Sequence, residues 1–125
     1  MQPHEEWMFK AHQDLESAKL LFRAEGRLFD VAIYHTQQCA EKGIKAYLAF
    51  RDLKVGKTHS LRILLEQCQE LEPAFEAIYN DCIYLEPFSI MYRYPEGDLM
   101  PSESELQKAV TVAEQVFLFV ESRLQ

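Results

Sequence analysis

Residues 34–45, YHTQQCAEKGIK, decide the fold. An α-helix turns about 100° per residue, so Tyr34, Glu41, Lys42 and Lys45 all fall within about 60° of Gln38. Phe29, Ala32, Ile33, Thr36, Ala40, Gly43, Ile44 and Tyr47 gather on the opposite side. One helix therefore has an apolar face for burial and a compact face carrying an amide, a carboxylate, two ammonium groups and a phenol. Such a concentration has three readings. It is a solvated face with Glu41 and Lys45 as a helical i,i+4 pair, a polar contact within the bundle or between two copies, or a ligand site. In the last case Lys42 and Lys45 meet phosphate oxygens as point charges. Tyr34 then stacks on a base and Gln38 reads its edge.

The same periodicity extends in both directions. This helix is expected over residues 28–50. A first helix over residues 3–24 carries Trp7, Ala11, Leu15, Ala18, Leu21 and Phe22 at three- and four-residue spacing, with Gly26 as its stop. Residues 51–57, RDLKVGK, read as a loop. Thr58 or Ser60 caps a short third helix over residues 61–70, whose inward face is Leu61, Leu64, Leu65 and Cys68. Pro73 suits the first turn of a fourth helix with the stripe Phe75, Ile78, Cys82 and Leu85, and Pro87 ends it. A long loop spans residues 88–101. Ser102 and Glu105 then form the spacing of a capping box. The last helix has the stripe Leu106, Ala109, Val110, Ala113, Val116, Phe117, Val120 and Leu124.

Strand signals are absent: there is no sustained alternation and no Asn-Gly or Asp-Gly turn. The expected fold is all-α, an up-and-down antiparallel bundle of four long helices plus one short helix, in one domain over residues 1–125. Apolar residues make up 48% of the chain and charged residues 26%, which is a globular balance. Three cysteines without metal-ligand spacing read as buried thiols in a cytoplasmic protein. The acidic amino terminus is unlike a signal peptide, and the apolar runs are too short to span a membrane. A net charge of −7 argues against general DNA binding, which depends on Lys and Arg neutralising phosphates. It leaves room for a local basic patch that takes a nucleotide.

Two further candidates follow. Lys57, Thr58, His59 and Ser60 open a helix, and helix amino termini attract anions. The bland alternative is that Thr58 or Ser60 is only a cap. Tyr92, Arg93, Tyr94 and Pro95 sit in the long loop, and loops of that length are often functional. Arg93 either binds a planar or anionic group between two aromatics or pairs with an acidic residue such as Glu41. His4, His12 and His35 have no partner at zinc-ligand spacing, and no phosphate loop, nucleophile elbow or CxxC is present. No cofactor is called for.

Taken together, QQCAEKGIK, KTHSL and YRYP, in that order, resemble the HEPN domain over essentially the whole chain. A related domain lies at the carboxyl end of the chaperone sacsin. The resemblance implies a small helical bundle that commonly dimerises. It also implies a nucleotide ligand and a minimal nucleotidyltransferase as genomic partner, sometimes as a toxin–antitoxin pair. Carried over position by position, the recurring polar residues are Gln38, Glu41, Lys42, Lys45, Thr58, His59, Arg93 and Tyr94, with Tyr34 beside them. Many members are metal-independent ribonucleases marked by an arginine and a histidine with four to six residues between. Here Arg27–His35 and Arg51–His59 each leave seven, and no histidine follows Arg93. The expectation is therefore a noncatalytic binding module acting as a homodimer. The alternatives are a ribonuclease using His59 and Arg93, and a purely structural dimerisation module.

Overall fold

The computed structural model describes residues 1–125 and contains helices and no strands. Three helices are long: α1 (Pro3–Arg23), α2 (Phe29–Phe50) and α5 (Glu103–Ser122). Two are short: α3 (Leu61–Leu71) and α4 (Tyr79–Leu85). The expected fourth long helix is thus broken. Its residues form a 3-10 stretch at Pro73–Ile78, then α4, then a second 3-10 turn at Glu86–Ser89. Pro87 explains the second break: its ring lacks an N–H and would meet the carbonyl four residues back. The stripe survives the breaks, since Phe75, Ile78, Cys82 and Leu85 are all buried.

α2 is the centre of the bundle. α1 runs antiparallel along it, with Trp7 near Lys45 at one end and Phe22 beside Phe29 at the other. α5 and α3 cover the rest of α2. α5 packs beside Gly43, where a Cβ would make an ordinary van der Waals contact of 3.9 Å with Val120 Cγ2. A contiguous core of 27 buried residues fills the interior. Its aromatic centre is Phe75, whose ring lies 4.4 Å from that of Tyr47 and 5.0 Å from that of Phe119. Burying such side chains stabilises by about 1.5–3 kcal/mol each. No helix is long and apolar enough to cross a membrane.

The helix ends show how the chain satisfies its own backbone. α2 closes with Asp52 in the left-handed region (φ 60°). Leu53 N–H donates to Leu48 and Asp52 N–H to Ala49, both at 3.0 Å. That is a Schellman motif with aspartate where glycine is usual. Ser60 Oγ accepts from Ile63 N–H at 3.3 Å and caps α3. At α5 only half of the expected capping box forms. Ser102 Oγ accepts from Glu105 N–H at 3.1 Å, but the Glu105 carboxylate turns away to accept a 2.5 Å hydrogen bond from Tyr92.

Candidate functional site

The polar face of α2 is not a solvated surface. Glu41 and Lys45 are only 3% and 5% exposed, and Gln37 is fully buried. Helical arithmetic fixes their angle but not what covers it. α1 lies over this edge, and the loop before α3 folds onto it. The result is a self-satisfied chain of hydrogen bonds. Gln38 Nε2 donates to Gln37 Oε1 (2.7 Å), and Gln37 Nε2 donates to Glu41 Oε1 (3.3 Å). Glu41 Oε2 then accepts from Lys45 Nζ at 3.0 Å and lies 2.9 Å from His59 Nδ1. Lys45 also sits 5.5 Å from the centre of the Trp7 ring, a cation–π contact that shields it further. An unpaired charge at this depth would be costly, and none is left unpaired.

Lys42 is committed as well. Its Nζ donates to Asp14 Oδ2 at 2.7 Å, and Asp14 Oδ1 lies 2.8 Å from His35 Nδ1. Burial pushes the Asp14 carboxyl up, but the hydrogen bonds and charges of His35 and Lys42 outweigh it and hold the carboxyl below its ordinary value. A carboxylate only accepts, so the His35 nitrogen that faces Asp14, Nδ1, carries a proton. Sequence reasoning misses both His35 and Asp14 as site residues, although a signal for each is present. His35 lies about 60° from Gln38 by the same arithmetic that gathers Tyr34. Asp14 is an acid in register with the apolar stripe of Trp7, Ala11, Leu15 and Ala18.

The anion site expected at the start of α3 is filled by the protein itself. Glu86 Oε1 accepts from Ser60 Oγ at 2.6 Å and from Arg62 N–H at 3.4 Å. Thr58 Oγ1 accepts from Ser60 N–H at 3.2 Å and so braces the cap. His59 faces Glu41 rather than Arg93.

Arg93 belongs to a different neighbourhood. It does not pair with Glu41. Its guanidinium lies 4.8 Å from the centre of the Tyr34 ring and 5.8 Å from that of Tyr94. It makes no ion pair and no side-chain hydrogen bond, so its five N–H donors are free. Tyr92 pins the loop that presents it: the Tyr92 ring stacks on Phe88 and its hydroxyl donates to Glu105. Burial and the neighbouring carboxylate raise the Tyr92 phenol to about 12, which keeps that donor in place.

Arg93, Tyr92, Tyr34, His35, Asp30 and Val31 line one groove of about 340 Å³. It lies against the first two turns of α2, a helix whose amino terminus has no side-chain cap. Of the residues marked in the sequence, the structure brings together Tyr34, Arg93 and Tyr94. It places Glu41 and Lys45 in the buried part of the hydrogen-bond chain, Gln38 and the exposed His59 at its two ends, Lys42 on Asp14, and Thr58 at the α3 cap. Larger concavities, of about 590 Å³ and 650 Å³, lie along the first turns of α1 and contain none of these residues. The three thiols are inert: burial raises Cys68 to about 12 and pushes Cys39 and Cys82 higher still. No group of three or more His, Cys, Asp or Glu residues could hold a metal ion.

Comparison with known proteins places this fold. The chain is similar to TT1696 from Thermus thermophilus, with a TM-score of 0.84, 24% identity and 98% of each chain covered. It is also similar to ST0689, described as an archaeal HEPN homologue, with a TM-score of 0.80, 25% identity and 100% of each chain covered. No curated protein is significantly similar. The HEPN domain model matches residues 4–123, nearly the entire chain, and the chain therefore belongs to the HEPN domain family.

Proposed function

We propose that this protein is a noncatalytic HEPN module that binds a nucleotide, as a homodimer or together with a minimal nucleotidyltransferase. The observation that carries the nucleotide reading is Arg93. Every other cation in the polar network of α2 has an acidic partner, whereas the Arg93 guanidinium rests on Tyr34 with its donors free. A guanidinium fork matches phosphate oxygens in a two-point contact. The uncapped first turn of α2 lines the same groove, and its free N–H groups favour an anion. Lys42 and Asp14 act behind His35 by holding its ring. Calorimetric titration of nucleoside monophosphates tests the reading. Arg93→Ala should weaken binding at least about tenfold while leaving the fold intact. Lack of heat with every nucleotide, for the wild type, would leave only the partner-binding form. Sedimentation analysis alone and with the neighbouring gene's product tests the assembly.

One observation favours a second reading, RNA cleavage. His35, oriented by Asp14, shares a groove with Arg93. If the protein is a toxin, His35 rather than His59 acts as general acid or base, and Arg93 stabilises the phosphorane charge. Growth arrest on expression that is relieved by His35→Ala but not by His59→Ala would establish it. Normal growth at high expression would exclude it.

A further inference from the structure

We infer that the Arg93 groove distinguishes guanine from the other bases, and that Asp30 makes the distinction. This rests on the nucleotide reading and names the ligand within it. Asp30 stands in the first turn of α2, is half-buried, and makes no hydrogen bond or ion pair. Every other buried or half-buried carboxylate except Asp81 has a donor in the structure. Asp81 is absent from the Arg93 groove; Asp30 lines it. The helix dipole accounts for an acid at this position but not for its lack of a partner.

A carboxylate can only accept, so its complement must donate twice from adjacent atoms. Among the base edges that pair in nucleic acids, guanine alone offers that, through N1–H and the N2 amino group. Adenine and cytosine present a ring acceptor beside their amino group, which a carboxylate repels. Uracil sets one N–H between two carbonyls. With the base edge on Asp30, the ring lies along Tyr34, and the phosphate reaches the Arg93 fork. The groove volume of about 340 Å³ suits a mononucleotide and little more. Asp30 also opposes the negative charge of a triphosphate, which favours the monophosphate.

The experiment is a titration of the full chain with GMP, AMP and inorganic phosphate, for the wild type, Asp30→Asn and Arg93→Ala. A good two-point base contact is worth roughly a factor of ten in affinity or more. GMP should therefore bind at least about tenfold tighter than AMP. Asp30→Asn should bring that ratio close to unity by weakening GMP, whereas Arg93→Ala should weaken both nucleotides alike. Equal affinity of the wild type for GMP and AMP overturns the guanine assignment and leaves the nucleotide reading standing. So does an Asp30→Asn variant that binds both nucleotides and phosphate more tightly, because Asp30 would then be only a repelling charge. Absence of any nucleotide binding overturns both. The affinity ratio is insensitive to a general loss of stability, so a merely structural Asp30 would not shift it.

Discussion

Asp14 Oδ1 on α1 lies 2.8 Å from His35 Nδ1 on α2, and this contact aims the imidazole at the groove. The same carboxylate holds Lys42 at 2.7 Å, so one acid on the first helix fixes a lysine and a histidine on the second. Asp14→Asn should lower stability by about 1–3 kcal/mol at pH 7, since it removes charge-assisted hydrogen bonds. The pH dependence has a definite sign. The Asp14 carboxyl is held below its ordinary value of 3.8, so its contribution is complete above that value and disappears as pH falls through the lower folded value. Urea denaturation at pH 7, 5 and 3 should show the gap between wild type and variant closing at the acid end. A gap unchanged at pH 3 would mean that the charge of Asp14 is not what stabilises.

Glu41 and Lys45 offer a sharper contrast. Glu41→Ala strands a buried ammonium and should cost about 3–5 kcal/mol. The double replacement Glu41→Leu with Lys45→Met removes both charges at similar volume. It should recover most of that loss, because a paired buried charge contributes little beyond what apolar packing supplies. Thermal denaturation of the three variants and the wild type measures this. Gln37 Nε2 and His59 would lose their carboxylate in both cases, so a double variant as unstable as Glu41→Ala would shift the cost onto those two contacts, above all that of the fully buried Gln37.

These burials mark the limit of the sequence. Leu61, Leu64, Leu65 and Cys68 are inside, as their spacing required, because an apolar stripe has only one stable destination. A polar face has several. Nothing local to residues 34–45 says that α1 will lie over Glu41 and Lys45, or that residue 59 will fold back onto residue 41. Arg93 and Tyr34 are far apart in the chain, and their meeting is a product of the tertiary fold for the same reason. Ser102 and Glu105 show the point at the scale of a single motif. Their spacing correctly predicts the serine cap, while the glutamate answers to Tyr92, a residue on the preceding loop.

The Tyr92 contact supports the groove from behind. Tyr92→Phe should cost about 0.5–1.5 kcal/mol and loosen the loop that presents Arg93. Nucleotide affinity should fall with it, although the phenyl ring left by the change keeps the stack on Phe88. The phenol is raised to about 12, so the clasp contributes fully below pH 10 and is lost as pH rises from there through about 12. Absorbance titration should show one tyrosine ionising last in the wild type, and that component missing in Tyr92→Phe. Its persistence in the variant would assign it elsewhere.

Glu86 governs the start of α3. Its carboxylate accepts from Ser60 Oγ and from Arg62 N–H, so it faces the free N–H groups of that helix and the positive end of its dipole. Glu86→Ala should lower stability by about 1–2 kcal/mol, and Ser60→Ala by about 1 kcal/mol through loss of the cap to Ile63. The two side chains touch, so their effects should not add. The double variant should be less destabilised than the two losses together by about 0.5 kcal/mol or more. Urea denaturation of the four proteins closes the cycle. Strict additivity would show that Glu86 acts on the helix dipole without the serine, and that the 2.6 Å contact between them carries no energy of its own.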